Sequence, residues 1–227
     1  MSKDPRKHTG YFDVLEAFQK AKVCALCELE DRDMLRYLDN LLYENVNDVG
    51  VRADLARSRG YCHRHAHLLL EFADGLGTAI LYRDQVLQMM DFLKGQQGLP
   101  TKLYRRTLPK AWSHDAACPA CAIQAQGRRR NVRTLLEWLG DPEMRAVFDA
   151  SPGLCVPHML MVLQQVPSAA KRDHLLKVQQ SKFEILAREL AEFTRKQDYR
   201  FCDEPVGAEK NSWQRAVHMM VGMKDVF

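Results

Sequence analysis

Residues 24–27 read CALC and residues 58–65 read SRGYCHRH, and each stretch recurs further along the chain. CALC aligns with CPAC at 118–121, at an offset of 94 residues, and SRGYCHRH aligns with SPGLCVPH at 151–158, at an offset of 93. The shared unit is C-x2-C followed by S-x-G-x-C-x2-H. Because the identities keep their register and include the cysteines and the last histidine, the sequence predicts an internal duplication.

Apolar residues between these motifs recur at the spacing of a helix, and no alternating strand pattern is found. Asn47 or Asp48 is a suitable N-cap for a helix that ends near Ser58, where Gly60 is the expected left-handed stop. A final amphipathic helix is expected after Asn211 or Ser212. The other helices are expected near 26–43, from Cys62 onward, and near 76–93, 119–138, 142–150, 156–165 and 168–195.

The predicted fold is all-α: an internally duplicated helical bundle with two pseudo-symmetric metal-binding repeats. Residues 1–95 are the first repeat with a Cys3His site, and residues 118–196 are the second repeat with its own Cys3His site. Residues 96–117 form a linker rich in proline and glycine. Residues 197–227 form a tail and a helix expected to pack on the bundle. The sequence leaves open whether the ligands pair within a repeat or across repeats.

The repeated cysteines and histidines have the spacing of metal ligands. A C-x2-C pair places two thiolates on one turn, and a C-x2-H pair elsewhere in the fold completes a tetrahedral shell. The repeat selects His65 over His63 and His67, because only His65 aligns with a histidine. Cys202 has no counterpart and is interpreted as an incidental thiol. The predicted ligands are Cys24, Cys27, Cys62, His65, Cys118, Cys121, Cys155 and His158.

The ligand set favours two structural Zn²⁺ ions, because closed Cys3His sites are typical of zinc. The alternative is a pair of 4Fe-4S clusters in a redox or sensor protein, since C-x2-C cysteines also bind clusters and histidine can replace one of them. Four protein ligands leave no open position for a catalytic metal, and no catalytic motif is found. The sequence therefore favours a binding protein over an enzyme.

Composition bounds the location and the fold. The chain has 227 residues, 46% of them hydrophobic and 27% charged, which is typical of a globular protein. No apolar run reaches the ~20 residues of a membrane span, and no secretory signal is recognisable, so a cytoplasmic protein without membrane contact is expected. Seven cysteines, an odd count, favour metal ligation over disulfides in that compartment.

The partner is expected to be another protein bound by the helical scaffold. Nucleic acid is the less favoured alternative, because the net charge is only +4. Its candidate contacts are two basic clusters, Arg128–Arg130 with Arg133 and Tyr104–Arg106 with Lys110. A solvated helix face is the favoured interpretation of these clusters, because few aromatic residues lie among them.

The two C-x2-C and G-x-C-x2-H pairs, the segment GLGTAILYRD at 75–84 and the tail DYRF-x-DEP from Asp198 resemble one prokaryotic family, domain of unknown function 6062. The resemblance runs from about Cys24 to Val221. It implies the same eight ligands and a role for the tail between Tyr199 and Arg215, and it implies no activity. Cys202 departs from the pattern, which has another residue there.

Overall fold

The computed structural model describes residues 7–98, 100, 112, 116–201 and 203–227. Within these residues the chain is helical and contains no strand, so the all-α prediction is confirmed. A π-helical turn, Leu41–Asn45, follows α2, and a 3-10 turn, Ala208–Asn211, precedes α10. The helices are α1 (Thr9–Lys20), α2 (Ala25–Asn40), α3 (Val49–Ser58), α4 (His63–Leu70), α5 (Gly75–Gln96), α6 (Pro119–Trp138), α7 (Pro142–Ala150), α8 (Val156–Gln165), α9 (Ala169–Arg195) and α10 (Ser212–Val221).

The helix ends follow local capping chemistry. Asp48 accepts a hydrogen bond of 2.8 Å from the Val51 backbone N–H at the start of α3. Asp141 does the same for α7, at 3.1 Å from the backbone nitrogens of Glu143 and Met144. Gly60 has a φ of +91°, as expected for the left-handed residue after α3.

The chain divides into two compact units. The first combines the described residues up to Arg32 with those from Gly127 onward, and the second is Asp33–Gln126. These bounds differ from the predicted repeats, 1–95 and 118–196, because each unit contains residues from both halves of the chain.

The core of the first unit includes a helix that was not predicted from the sequence. The helix α1 lay outside the prediction, although Tyr11, Val14 and Phe18 recur at helical spacing and are buried. The Tyr11 hydroxyl lies 3.0 Å from Asp141 Oδ1, which ties α1 to the start of α7. The buried residues around them include Leu26, Leu29, Leu135, Leu139, Met144, Phe148, Leu154, Val162 and Leu175.

The second unit has its own core of aliphatic side chains, which includes Met34, Leu38, Leu41, Leu55, Leu69 and Leu81. Three apolar residues that fit the predicted helical faces, Leu35, Tyr43 and Leu70, are exposed instead. On α5, Val86, Leu87 and Met90 are exposed as well. The helical period fixes which residues share a face, but not how much of that face is covered.

The C-terminal helix α10 contacts α8 and α9 in the first unit. The apolar residues expected to pack there are largely exposed, with Trp213 at 51%, Val217 at 56% and Met220 at 55%. Its buried residue is Ser212. The helix therefore lies against the first unit with much of its apolar face exposed.

Several predicted features lie outside the described residues: Cys202, most of the linker at 96–117, and the basic cluster of Tyr104, Arg105, Arg106 and Lys110. Among the described helices, none is long and apolar enough to cross a membrane.

Candidate metal centres

The first centre is a buried group of three thiols and one imidazole in the first unit. Cys27 Sγ lies 3.6 Å from Cys155 Sγ and 3.4 Å from His158 Nδ1. The same nitrogen lies 3.5 Å from Cys24 Sγ and 3.3 Å from Cys155 Sγ. The residues Cys24, Cys27, Cys155 and His158 can therefore hold one metal ion.

The second centre has the same composition and lies in the second unit. His65 Nδ1 is 3.3 Å from Cys62 Sγ, 3.7 Å from Cys118 Sγ and 3.4 Å from Cys121 Sγ. The Cys62 and Cys121 sulfurs are 3.7 Å apart. All four ligand atoms lie within 4.8 Å of one another, as they do in the first centre.

The structure brings together all eight predicted residues, but it pairs them across the halves of the chain. The C-x2-C pair at Cys24 and Cys27 meets the C-x2-H pair at Cys155 and His158. The pair at Cys118 and Cys121 meets Cys62 and His65. The expectation of one complete Cys3His site inside 1–95 and another inside 118–196 is therefore replaced by an exchange of half-sites.

The S-x-G stretch before each C-x2-H pair forms a turn with a glycine at positive φ in both units, although Arg59 also has a positive φ, of +58°, and its counterpart Pro152 does not. Gly60 and Gly153 have φ angles of +91° and +92°, a conformation that residues with a Cβ rarely adopt. The Ser151 hydroxyl donates to the Phe148 carbonyl at 2.7 Å and accepts from the Gly153 N–H at 3.1 Å. In the other turn, the Ser58 hydroxyl donates to the Gly60 carbonyl at 3.0 Å. These turns end α7 and α3 and aim the following cysteine at its centre.

A buried glutamine on α9 holds the second of these turns in place. Gln179 accepts from the Leu154 N–H at 2.9 Å and donates to the Leu154 carbonyl at 2.8 Å. The backbone next to Cys155 thus has its hydrogen bonds satisfied by a side chain of a neighbouring helix.

Helix starts carry the cysteines of both C-x2-H pairs. Cys62 is the N-cap residue of α4 and Cys155 is the N-cap residue of α8. Unpaired backbone N–H groups and the helix dipole stabilise negative charge at such positions. In each case the histidine follows one turn later and is fully buried.

The pKa values in the first centre are shifted in opposite directions. Hydrogen bonds from the Cys24 and Cys27 thiols lower the pKa of Cys155 to about 4, against the effect of burial. The pKa of Cys27 is raised by its hydrogen bonds with Cys155 and Cys24 and by burial. Burial lowers the pKa of His158, but hydrogen bonds with Cys24 and Glu30 outweigh it and raise that pKa to about 8. Cys155 therefore ionises more readily than Cys27, whose thiolate would need a nearby cation to stabilise it.

The second centre behaves in the same way. Burial, followed by repulsion from Cys118 and a hydrogen bond with Cys62, raises the pKa of Cys121 to about 12. Burial also opposes ionisation of Cys62, but the His65 backbone N–H and the Cys121 and Cys118 thiols lower its pKa. The pKa values of Cys62 and Cys155, which occupy equivalent places in the two motifs, are therefore both lowered.

An ion pair between Glu30 and Arg128 contacts the first centre at His158, on the side of the imidazole away from the thiols. His158 Nε2 lies 2.7 Å from Glu30 Oε1, so the imidazole presents Nδ1 to the thiols. The guanidinium of Arg128 meets both Glu30 oxygens at 2.7–2.9 Å and lies 4.4 Å from the ring centroid of Phe227. A carboxylate on the far nitrogen of a histidine is a common way to orient a metal ligand.

The second centre lacks a carboxylate at the equivalent place. Gln124 follows Cys121 by three residues, as Glu30 follows Cys27. Its side chain accepts a hydrogen bond from Arg64, whose guanidinium also lies 3.4 Å from His65 Nε2. Cys62 and Cys121 are partly exposed, whereas the ligands of the first centre are at most 4% exposed.

Glu30 and Phe227, which contact the candidate ligand His158, were not identified from the sequence. From the sequence, Arg128 is interpreted as part of a solvated helix face, or of a less favoured phosphate-binding cluster, but in the structure Arg128 forms an ion pair with Glu30. The position of Glu30 could have been found from the sequence, because Glu30 follows Cys27 by three residues, as Gln124 follows Cys121. Phe227, whose ring centroid lies 4.9 Å from that of His158, has no counterpart in the repeat and left no such signal.

Comparisons with known proteins place this architecture in context. The model of a family of unknown function, DUF6062, matches residues 7–226. An "uncharacterized 23.9 kDa protein in xynA 3′ region" of Caldicellulosiruptor sp. (strain Rt8B.4) is 28% identical over 211 residues, which is 92% of this chain and 99% of that protein. No solved structure matches the chain.

Proposed function

This chain belongs to the family of unknown function DUF6062, and we propose that it is a zinc protein whose two Cys3His centres stabilise a helical scaffold. The observation that carries the proposal is the spacing of the ligand atoms. A tetrahedral zinc ion with Zn–S bonds of about 2.3 Å and Zn–N bonds of about 2.0 Å separates its ligands by about 3.5–3.8 Å. The six sulfur–nitrogen distances of 3.3–3.7 Å, and the Cys27–Cys155 and Cys62–Cys121 sulfur–sulfur distances of 3.6 and 3.7 Å, support this size.

The same spacing argues for one ion over a cluster. The ligands of a 4Fe-4S cluster bind different irons, so they must surround several iron and sulfide atoms. In each group all four ligand atoms lie within 4.8 Å of one another, which leaves room for a single ion. Three thiolates and one neutral imidazole also form a ligand set typical of structural zinc.

A structural role follows from the closed ligand sets. Zinc would offset the repulsion among three thiolates in each buried group, and structural zinc contributes roughly 10 kcal/mol or more to folding. In the first centre, Glu30 and Arg128 would hold His158 in the orientation that presents Nδ1. In the second, the Arg64 guanidinium lies beside His65 and adds positive charge near the thiolates.

The test is elemental analysis with a visible absorption spectrum on protein purified without oxygen. Two zinc ions per chain and no visible absorption are expected. Chelation should then lower helical content and thermal stability, because the apo thiols lose their common partner. Iron with sulfide and a broad absorption near ~400 nm would overturn the proposal in favour of clusters.

We also propose that the helical scaffold binds a protein partner through α5. On α5, Val86, Met90 and Leu93 recur at helical spacing and are each 46–57% exposed. Such an apolar stripe is typical of helix-mediated recognition. A photocrosslinking residue at Met90, compared with one at the exposed Lys177 of α9, should yield an adduct only at Met90. Equal or absent crosslinking at both positions would contradict this role for α5.

A further inference from the structure

The first unit contains a narrow apolar cavity beside the first metal centre. Its volume is about 90 Å³, and its wall includes Cys24. The apolar part of the wall comes from four places: the segment before α2, the turn between α7 and α8, α9 and α10. It consists of Val23, Pro152, Ile185, Leu186 and Met219.

A wider groove of about 400 Å³ adjoins this cavity. Lys22, Val23 and Arg215 line both spaces, so the groove and the cavity share a wall. Trp213 and His218 on α10 line the groove but not the cavity, and Trp213 is 51% exposed. The groove therefore offers polar and aromatic groups, whereas the cavity is mainly apolar.

The lining of both spaces is positively charged. It includes Lys22, Lys182 and Arg215, and among the described lining residues there is no aspartate or glutamate. Arg215 pairs with Glu189, and the Lys182 ammonium donates to the Asp149 carbonyl at 2.7 Å. Lys22 is exposed at the shared wall and forms no ion pair with a described residue. Lys22 is therefore the lining cation that is available to bind an anionic ligand.

We propose that the cavity and groove bind a small amphipathic anion, with a short aliphatic tail in the cavity and a carboxylate or phosphate head in the groove beside Lys22. This goes beyond the proposed role of the metal centres and does not depend on the identity of the metal. A 150 Å³ apolar cavity accommodates benzene, so one of about 90 Å³ accommodates roughly three or four carbons. With about three or four carbons in the cavity, a six-carbon chain leaves two or three carbons to carry its head into the groove.

The test uses hexanoate and hexyl phosphate as probes of the two head groups, with hexan-1-ol as the uncharged control. Binding to the intact, metal-loaded chain is followed by the fluorescence of Trp213, and loss of the change in Trp213→Phe assigns the signal. Saturable binding of at least one anion, at least about fivefold tighter than hexan-1-ol, is expected. Binding of only one anion identifies the head group.

Charge reversal at Lys22 separates this site from unspecific association. Lys22 is exposed, so Lys22→Glu should leave folding intact and weaken anion binding about fivefold, the effect of about 1 kcal/mol for an exposed charge pair. Lys177→Glu, an exposed substitution on α9 outside the lining, should leave affinity unchanged. Equal affinity for hexan-1-ol, an unchanged affinity in Lys22→Glu, or no saturable binding of either anion would overturn the proposal.

Discussion

At the scale of single residues, the proposed zinc site of the first centre is supported by a carboxylate outside its four candidate ligands. Glu30 is almost fully buried and accepts from both His158 and Arg128. Glu30→Gln keeps the shape but removes the charge that fixes the imidazole. We expect the zinc affinity of the first centre to fall about 10–100-fold, the usual effect of losing such a partner. Competition with a chelator of known affinity measures it, in a Cys62→Ser background that leaves only this centre.

The matched control is Glu184→Gln, an exposed carboxylate on α9. It should leave zinc affinity unchanged in the same background. If Glu30→Gln behaved like this control, the contact with His158 would be mere packing and the orienting role of Glu30 would be wrong.

The two centres also differ in how solvent reaches their ligands. The ligands of the first are at most 4% exposed, although Cys24 borders the apolar cavity, while Cys62 and Cys121 of the second are partly exposed. A chromophoric chelator should therefore remove zinc in two phases, one ion quickly and one slowly. Cys62→Ser should retain only the slow phase and Cys155→Ser only the fast one. A fast phase of full amplitude in Cys62→Ser would contradict the assignment.

At the scale of elements, the glycine turns provide a matched pair of substitutions. A Cβ at Gly153 would lie 3.0 Å from Gln179 Oε1, whereas a Cβ at Gly60 would meet nothing closer than Gln85 Cγ at 3.7 Å. Both alanine variants incur the left-handed penalty of about 1–2 kcal/mol. Gly153→Ala should cost more, because it also displaces the glutamine that holds Leu154. Urea unfolding and retained zinc report both effects, and an equal cost would show that Gln179 gives way freely.

Helix boundaries were predictable where the sequence marks them by local chemistry. Asp141 followed by Pro142 fixes the start of α7, and Cys155 with Pro157 fixes that of α8. The exchange of half-sites was not predictable, because ligand spacing is the same whichever C-x2-H pair completes a C-x2-C pair. The choice depends on tertiary packing, and in the first unit the Tyr11 and Phe18 face of α1 belongs to the core that surrounds the ligands.

At the scale of the whole molecule, this exchange determines what a metal ion would connect. In the first centre the ligands Cys27 and Cys155 are 128 residues apart, and in the second Cys62 and Cys121 are 59 apart. A bond that closes so long a loop removes more conformational freedom from the unfolded chain than a local one. Metal in the first centre would therefore stabilise the first unit by joining its two chain segments.

Pairing of ligands across the halves of the chain and pairing within each half predict opposite zinc contents for two double variants. Cys24→Ser with Cys155→Ser damages one centre twice, so about one zinc per chain should remain. Cys24→Ser with Cys62→Ser damages both centres, and both ions should be lost after dialysis against a chelator. If each half of the chain held its own ion, the first pair would lose both ions and the second would keep one. Native mass spectrometry counts the ions, and the single variants calibrate how well a centre with three ligands holds its zinc.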